Sequence, residues 1–341
     1  MALRDHPSVA PETAGKVREL AERVGFRPRR HRNTSVCAGL RTHNLALLLC
    51  QRPMELLKVP LFAVLFQALE AKCRAEDLQL SVVHCNGEEM LPRWLTLDRL
   101  DGTFVLGPAP LRHRAQIQQL RPVILLASSL NGEEDPWTDC ISFDYAQRGR
   151  LAARYLLDKG HQRIGFLSPA PDHAGWNTVA RSFQKFAQAM GVEPFMMISE
   201  RGYEGAVWHP LEHRPIVADL IDRWQREPAA SRPTGIYVVK DTITQVVYRE
   251  LQARQIKPGI DVEILSTDNI GAVLSSLRPR PATLDLNVEE LVSRALDKVL
   301  YRINHPDARF GSITWVPVAL VNGDGCSQVQ EDPVTSEQES L

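Results

Sequence analysis

Three aspartates stand where a carboxylate could do recognition chemistry: Asp144, Asp241 and Asp268 each sit at the end of a short run that reads as a β-strand. A carboxylate at a strand end can accept hydroxyl hydrogens from a ligand, and Lys240 beside Asp241 adds a cation. Ser168 and Asn269 occupy equivalent places. A lone aspartate there is more often a helix cap or turn former; three at equivalent ends put a polar cleft on an equal footing with three caps. Catalytic chemistry finds less support. The chain holds no GxGxxG, no GxxxxGK[ST], no Gly-x-Ser-x-Gly and no His-Glu-x-x-His. Its ten histidines form no metal-spaced pair, and its six cysteines include no CxxC. No nucleophile, base and orienting group fall together. The expectation is a binding protein, not an enzyme, with neither metal nor cofactor. Trp176, Trp208 and Trp315 read as core residues or stacking platforms, core first.

The elements that must position these residues alternate. Leu45–Cys50 reads as a buried strand, and Leu61, Val64, Leu65, Ala68 and Leu69 line one face of a helix. Further strands are expected at 79–84, 103–106, 123–127, 163–167, 195–199, 236–239 and 262–266, with one closing at Phe143. Helices are expected at 146–158, 177–190, 212–226 and 242–254. Short apolar strands between amphipathic helices imply parallel sheets covered on both faces. About ten strands are too many for one compact doubly wound unit, so the fold class is α/β with two similar lobes. Ligands of such sheets bind beyond the carboxyl ends of the strands, which is where the three aspartates lie.

The 341 residues are 44% hydrophobic and 24% charged, the balance of a globular protein. No apolar run approaches a membrane span, and the first residues carry no secretory stretch, so a cytoplasmic protein is expected. The net charge of −1 conceals a polarity. Residues 1–44 hold nine Lys/Arg and four Asp/Glu, a charge of +5, and residues 327–341 hold four acids and no base. In the head, Pro11 and Glu12 suit a first helical turn, Val17, Leu20, Ala21 and Val24 recur at helical spacing, and Gly25 and Pro28 stop the helix. Arg27, Arg29, Arg30 and Arg32 follow as a basic cluster that could meet a DNA backbone.

Taken in order, these stretches resemble the lactose/galactose-repressor-type transcriptional regulators. Ala2–Thr13, Val17 and Gly25-Phe26-Arg27-Pro28 are similar to the segment joining the recognition helix to the hinge. In the core the likeness is carried by Arg99-Leu100-Asp101-Gly102, by Asp144 with Gly149 and Leu156–Phe166, by Pro233–Ile236 with Lys240-Asp241, by Asp261-Val262 through Asn269, and by Pro317 with Leu320-Val321. The resemblance implies two Rossmann-like lobes of the periplasmic-binding-protein-like type, joined by three crossovers. It implies a homodimer that binds DNA and holds a small effector between the lobes. The implied organisation is a truncated helical DNA-binding remnant and hinge over residues 1–44, an effector-binding core over 45–326, and an acidic tail over 327–341 that lacks apolar periodicity and is expected to be disordered. Lobe 1 would take about 45–144 and 288–304, and lobe 2 about 145–287 and 310–326.

The effector-binding positions implied are Phe62, Asp144, Val179, Lys240, Asp241 and Asp268. Two depart from the family pattern. Val179 stands where the family has its effector-binding arginine, and Lys240 where it has an asparagine. Together they point to a relocated cation, so the ligand need not be a common sugar. The first helices of the DNA-binding domain have no counterpart, so Met1 reads as an internal methionine of a recognition helix. The leading expectation is an effector-responsive regulator; the alternative is a binding or sensing module that makes no specific contact with DNA.

Overall fold

The computed structural model describes residues 11–23, 39–50, 59–85, 91–92, 94–96, 98–109, 111–127, 137–200, 213–307 and 311–324. The chain divides after Leu40 into two units. In the first, α1 spans Pro11–Arg23 with Glu12 in its first turn, as the proline and the acid dictate. Lys16 pairs with Glu12 one turn back at 2.9 Å, and Leu20 is half exposed. Arg27, Arg29, Arg30, Arg32 and the acidic tail lie outside the described residues.

The second unit is α/β and holds two six-stranded sheets. The first is made of β1 (Asn44–Cys50), β2 (Gln79–Cys85), β3 (Gly102–Leu106), β4 (Val123–Leu126), β5 (Asp139–Phe143) and β11 (Ile313–Val316), in the order β11-β5-β4-β3-β1-β2. The second is made of β6 (Ile164–Ser168), β7 (Phe195–Ile198), β8 (Gly235–Val238), β9 (Glu263–Asp268), β10 (Ala282–Asp285) and β12 (Ala319–Val321), in the order β12-β10-β9-β8-β6-β7. The two orders are the same arrangement used twice. Every pairing is parallel except β10 with β12.

Strands such as β1, buried along all but its first residue, need cover on both faces. In the first sheet α2 (Pro60–Ala75) and α9 (Val288–Asn304) pack together on one side, and α3 (Leu111–Gln119) sets Ile117 into the other. In the second sheet α4 (Tyr145–Asp158) and α5 (Ala174–Ala189) share one apolar cluster, while α6 (Arg214–Arg226) and α7 (Asp241–Ala253) share the other. The α4–α5 seam is unusually close. A Cβ on Gly149 would stand 2.3 Å from the Val179 carbonyl oxygen, so only glycine fits there.

One expectation needs correction. The stretch 310–326 does not belong to one lobe. β11 joins the first sheet beside β5, because the buried Asp139 carboxylate accepts from the Ser312 amide and hydroxyl at 2.8 Å each and from Arg302 of α9. Only β12 enters the second sheet. The strand β10 and the helix α3 also went unanticipated. β10 is four residues long and its sequence, Ala-Thr-Leu-Asp, carries little apolar signal.

Candidate functional site

The chain passes between the sheets at Asp144, at Leu286-Asn287 and at Pro317-Val318. These follow the carboxyl ends of β5, β10 and β11, so the carboxyl edges of the two sheets face one another across the crossovers. The crossovers are bonded to each other: Asp144 N–H donates to Val316 O (3.0 Å), Asn287 Nδ2 to Pro317 O (3.2 Å), and Val318 N–H to Gln147 Oε1 (2.8 Å). The gap between the edges is the candidate site, as the open α/β architecture favours.

On the second lobe, β8 leads into Lys240, the N-cap of α7, and β9 ends at Asp268. Asp268 holds φ at 116°, and Asn269 at 57°. A non-glycine residue in that region is strained, and such strain persists only where its surroundings enforce it. The Asp268 side chain is 5% exposed and its Oδ2 has no hydrogen-bond partner. Burial pushes its carboxyl up to about 6, opposed by the charges of Lys240 and Arg148 and by the Asp241 amide. An unpaired buried acceptor costs about 1–3 kcal/mol; a ligand hydroxyl would remove that cost.

The expected site residues separate. Lys240 and Asp268 come together, since Lys240 is the leading charge that pulls on the Asp268 carboxyl. Asp241 lies beside them but is fully buried and committed to the fold. Its Oδ1 accepts from Ser266 Oγ (2.5 Å) and Thr283 Oγ1 (3.2 Å), and its Oδ2 from the Ile270 amide (2.7 Å). It thereby ties β9, β10 and the turn before α8 (Gly271–Leu274) to the start of α7. Burial first, then the neighbouring Asp268, push it up to about 7. Asp144 caps α4, accepting from the Gln147 amide at 2.7 Å. Val179 corrects the reading outright as a ligand contact: it is fully buried in the α4–α5 seam. Phe62 stands half-buried in the first turn of α2, on the first lobe.

One residue went unnoticed in the sequence. Arg148, on the second turn of α4, is only 2% exposed. Its Nε donates to the Tyr237 hydroxyl at 2.6 Å and its Nη2 donates to Val239 O. The Tyr237 hydroxyl in turn shares a hydrogen with Thr267 Oγ1 at 2.7 Å. Arg148 thus braces the ends of β8 and β9 and holds a positive charge near Asp268. Nearby, the His173 ring caps α5 and stacks on Trp176 at 4.3 Å, with Trp176 mostly in the core. Trp315 on β11 is 44% exposed, and Trp208 lies outside the described residues. Among the described residues no group of three His, Cys, Asp or Glu side chains could hold a metal, and no helix is long and apolar enough to cross a membrane.

Comparison with known proteins adds three findings. The pattern of the periplasmic binding protein-like domain matches residues 153–326. The chain is 23% identical to the HTH-type transcriptional repressor PurR of Mannheimia succiniciproducens, over 77% of each chain. It is 20% identical to the ribose operon repressor of Escherichia coli K12, over 77% of this chain and 78% of the relative. Among solved structures, the lac repressor dimer bound to operator and an anti-inducer superposes with a TM-score of 0.70 at 15% identity, covering 94% of this chain and 92% of that one. The transcriptional regulator CelR–cellobiose complex superposes with a TM-score of 0.67 at 16% identity, covering 94% and 93%.

Proposed function

The chain belongs to the periplasmic-binding-protein-like domain family, and we propose that it is a transcriptional regulator of the lactose/galactose-repressor type. In this reading it binds operator DNA as a homodimer in the cytoplasm, makes no bond-changing chemistry, and takes a small effector between its lobes. The observation that carries the reading is the repeated sheet. Two sheets of one topology turn their carboxyl edges toward each other, and a strained aspartate with an unpartnered buried oxygen stands on one edge. The relatives named as repressors align over most of the chain.

The mechanism follows from the hinge. An effector held by both lobes favours the closed arrangement, and closure that reorients paired first lobes shifts affinity at a second site, DNA. The +5 head, with Arg27, Arg29, Arg30 and Arg32, supplies phosphate contacts whose strength falls with salt. Asp268 accepts effector hydroxyls, Lys240 and Arg148 set the charge around it, and Phe62 offers an apolar face from the first lobe.

The test is a thermal-shift screen of pentoses, hexoses, sugar acids and purine bases, followed by calorimetry on any hit. Asp268→Ala should weaken the hit about 10- to 150-fold, the effect of losing about 1.5–3 kcal/mol of charge-assisted hydrogen bonding. The same hit should change DNA affinity, and sedimentation should show a dimer at micromolar protein. A hit that binds Asp268→Ala as tightly as the parent places the effector elsewhere. A hit that leaves DNA binding unmoved removes the regulatory role.

A further inference from the structure

The strand β11 closes one end of the first sheet, and among the described residues no strand pairs with its outer side. Its four residues, Ile313-Thr314-Trp315-Val316, hold no charge and no proline. Natural sheets blunt their edges with such residues, because a bare edge is a template for another strand. The other end of the same sheet is more polar, with Gln79 and His84 of β2 exposed. On β11 the exposed side chains are instead Ile313, at 38%, and Trp315, at 44%.

The register fixes which backbone groups face outward. β11 runs parallel to β5 with Thr314 beside Ile141. Ser312 O accepts from the Cys140 amide at 2.8 Å, and Val316 O from the Asp144 amide at 3.0 Å. Alternate residues of a strand bond the same neighbour, so 312, 314 and 316 serve β5, and Ile313 and Trp315 turn their N–H and C=O groups to the outer side. Arg294 Nη1 meets Trp315 O there at 3.5 Å, too long for more than a weak bond. Side chains alternate as well. Ile313 and Trp315 share one face of the sheet, and Thr314 lies on the other. Beside Thr314 a shallow groove of about 310 Å³ runs along α9, lined by Arg294, Asp297, Lys298 and Tyr301.

We propose that β11 is an interface between two copies of this chain, paired antiparallel about a two-fold axis at Thr314, so that their first sheets become one continuous sheet. The occupant follows from the pattern, which is its own complement, as an isologous contact requires. With Thr314 on the axis, Ile313 and the partner's Trp315 exchange both of their N–H···O bonds, and Trp315 and the partner's Ile313 do the same. Every outward backbone group of the two residues is then used. Each exposed tryptophan lies directly across from an exposed isoleucine, an aromatic with β-branched pair of the kind that stabilises neighbouring strands. Thr314 meets the partner's Thr314 as a non-hydrogen-bonded pair, the closer of the two kinds. Other registers waste groups. An axis at Trp315 sets Ile313 against Pro317, which has no N–H to give, and an axis at Ile313 sets Trp315 against Gly311, which has no side chain to meet it. The groove along α9 carries charges of both signs, so a second copy meets no field of one sign. The inference rests on neither the cleft nor the basic head, and it stands whether or not the regulator reading holds.

Two experiments on the full chain test it. Thr314→Cys, oxidised mildly with oxidised glutathione, should give covalent pairs whose tryptic peptides are joined through position 314. Ile313→Cys places a thiol at a more exposed position that lies away from its own counterpart, and should give far fewer. In sedimentation from micromolar to millimolar protein, Ile313→Lys with Trp315→Lys sets like charges across both pairs and should weaken association tenfold or more. Ile313→Glu with Trp315→Lys sets opposite charges across the same pairs and should associate nearly as well as the parent. Both variants alter the same two exposed side chains, so matching melting temperatures exclude misfolding as the difference; if melting differs, the comparison of positions 314 and 313 decides alone. Cross-linking no better through 314 than through 313, equal association in the two charge variants, or a parent-like mass in the double lysine variant each overturns the proposal.

Discussion

Replacing Asp268 by asparagine should stabilise the protein and cripple its cleft at once. The side chain is 5% exposed, one oxygen has no partner, and burial holds its carboxyl at about 6 against an ordinary 3.8. That displacement corresponds to about 3 kcal/mol of preference for the protonated form, at about 1.36 kcal/mol for each tenfold change. The sign follows from which state holds the proton. Below about pH 4 the group is protonated in both the folded and the unfolded chain and costs nothing. Between about pH 4 and the folded value the unfolded chain ionises first, so stability falls as pH rises; above about pH 7 the loss is complete. Asp241, pushed up to about 7 by burial and by Asp268, adds in the same direction. Asparagine is neutral throughout and lifts the Asp268 charge from Asp241 too. Asp268→Asn should therefore match the parent at about pH 4.5 and exceed it by about 1–3 kcal/mol at about pH 8. Urea unfolding at the two pH values reads the difference. A variant that is less stable than the parent at the higher pH, or shifted equally at both, refutes the argument that the folded state bears an uncompensated charge here. Effector affinity should fall in the same variant, as strain kept for function requires.

Other outcomes follow from the same packing. Arg148→Met removes the hydrogen bonds to Tyr237 and Val239 and one of the two cations that favour the Asp268 carboxylate. It should cost about 2–4 kcal/mol in urea unfolding and raise the Asp268 carboxyl further. Gly149→Ala places a Cβ 2.3 Å from Val179 O and 2.8 Å from Phe183 N, both backbone atoms that cannot swing away. The α4–α5 seam must open, at a cost of about 1–3 kcal/mol, visible as a lowered Tm; a neutral result would mean the helices are less tightly joined than they stand. Cys50, Cys73 and Cys140 are buried thiols raised above their ordinary range by that burial, Cys73 and Cys140 to about 12. They should resist iodoacetamide at about pH 8 in the native state and react once urea unfolds the chain, as peptide mass mapping would show.

The alternation of strand and helix was legible because it is local. Runs such as Leu45–Cys50 are apolar without interruption, and Gly160 and Gly191 follow helices in left-handed conformation, where a glycine costs least. The strand-end positions of Lys240, Asp241 and Asp268 could be read for the same reason. Their separate fates could not. Asp241 and Asp268 are the same residue type at the same kind of end. Only the approach of Ser266, Thr283 and the Ile270 amide, which comes from sheet pairing, makes one a structural anchor and leaves the other with a free oxygen. Arg148 hid in an amphipathic pattern, since an arginine between Gln147 and Gly149 reads as solvent-facing. Its burial depends on Tyr237 lying 89 residues away in sequence. The distribution of residues 311–321 between two sheets was hidden too, because it is decided by Asp139 gripping Ser312 from 173 residues away.

The bonds among the crossovers bear on how such a core can move. Gln147 receives Val318, Asn287 reaches Pro317, and Asp144 donates to Val316. Each bond joins one crossover to another at the shared boundary of the sheets, and none needs the body of one lobe to touch the body of the other. A rotation that bends all three crossovers together preserves these bonds. Sliding one crossover past the next would break them and leave the buried Val318 amide unpaired, at about 1–3 kcal/mol. Hinge bending is therefore the low-cost motion and shear the high-cost one. The line of bonds continues away from the hinge. Asn287 N–H donates to Asp285 Oδ1 (2.8 Å), Asn269 Nδ2 to Asp285 Oδ2 (2.9 Å), and Arg280 Nη2 to Asn269 Oδ1 (3.2 Å). The backbone N–H of Arg280 in turn donates to Asp324 Oδ2 (3.0 Å). Asn269 sits directly after Asp268, in the strained pair of residues that ends β9. Through these bonds the crossover at Asn287 is tied to the carboxyl ends of β9 and β10 in the second lobe.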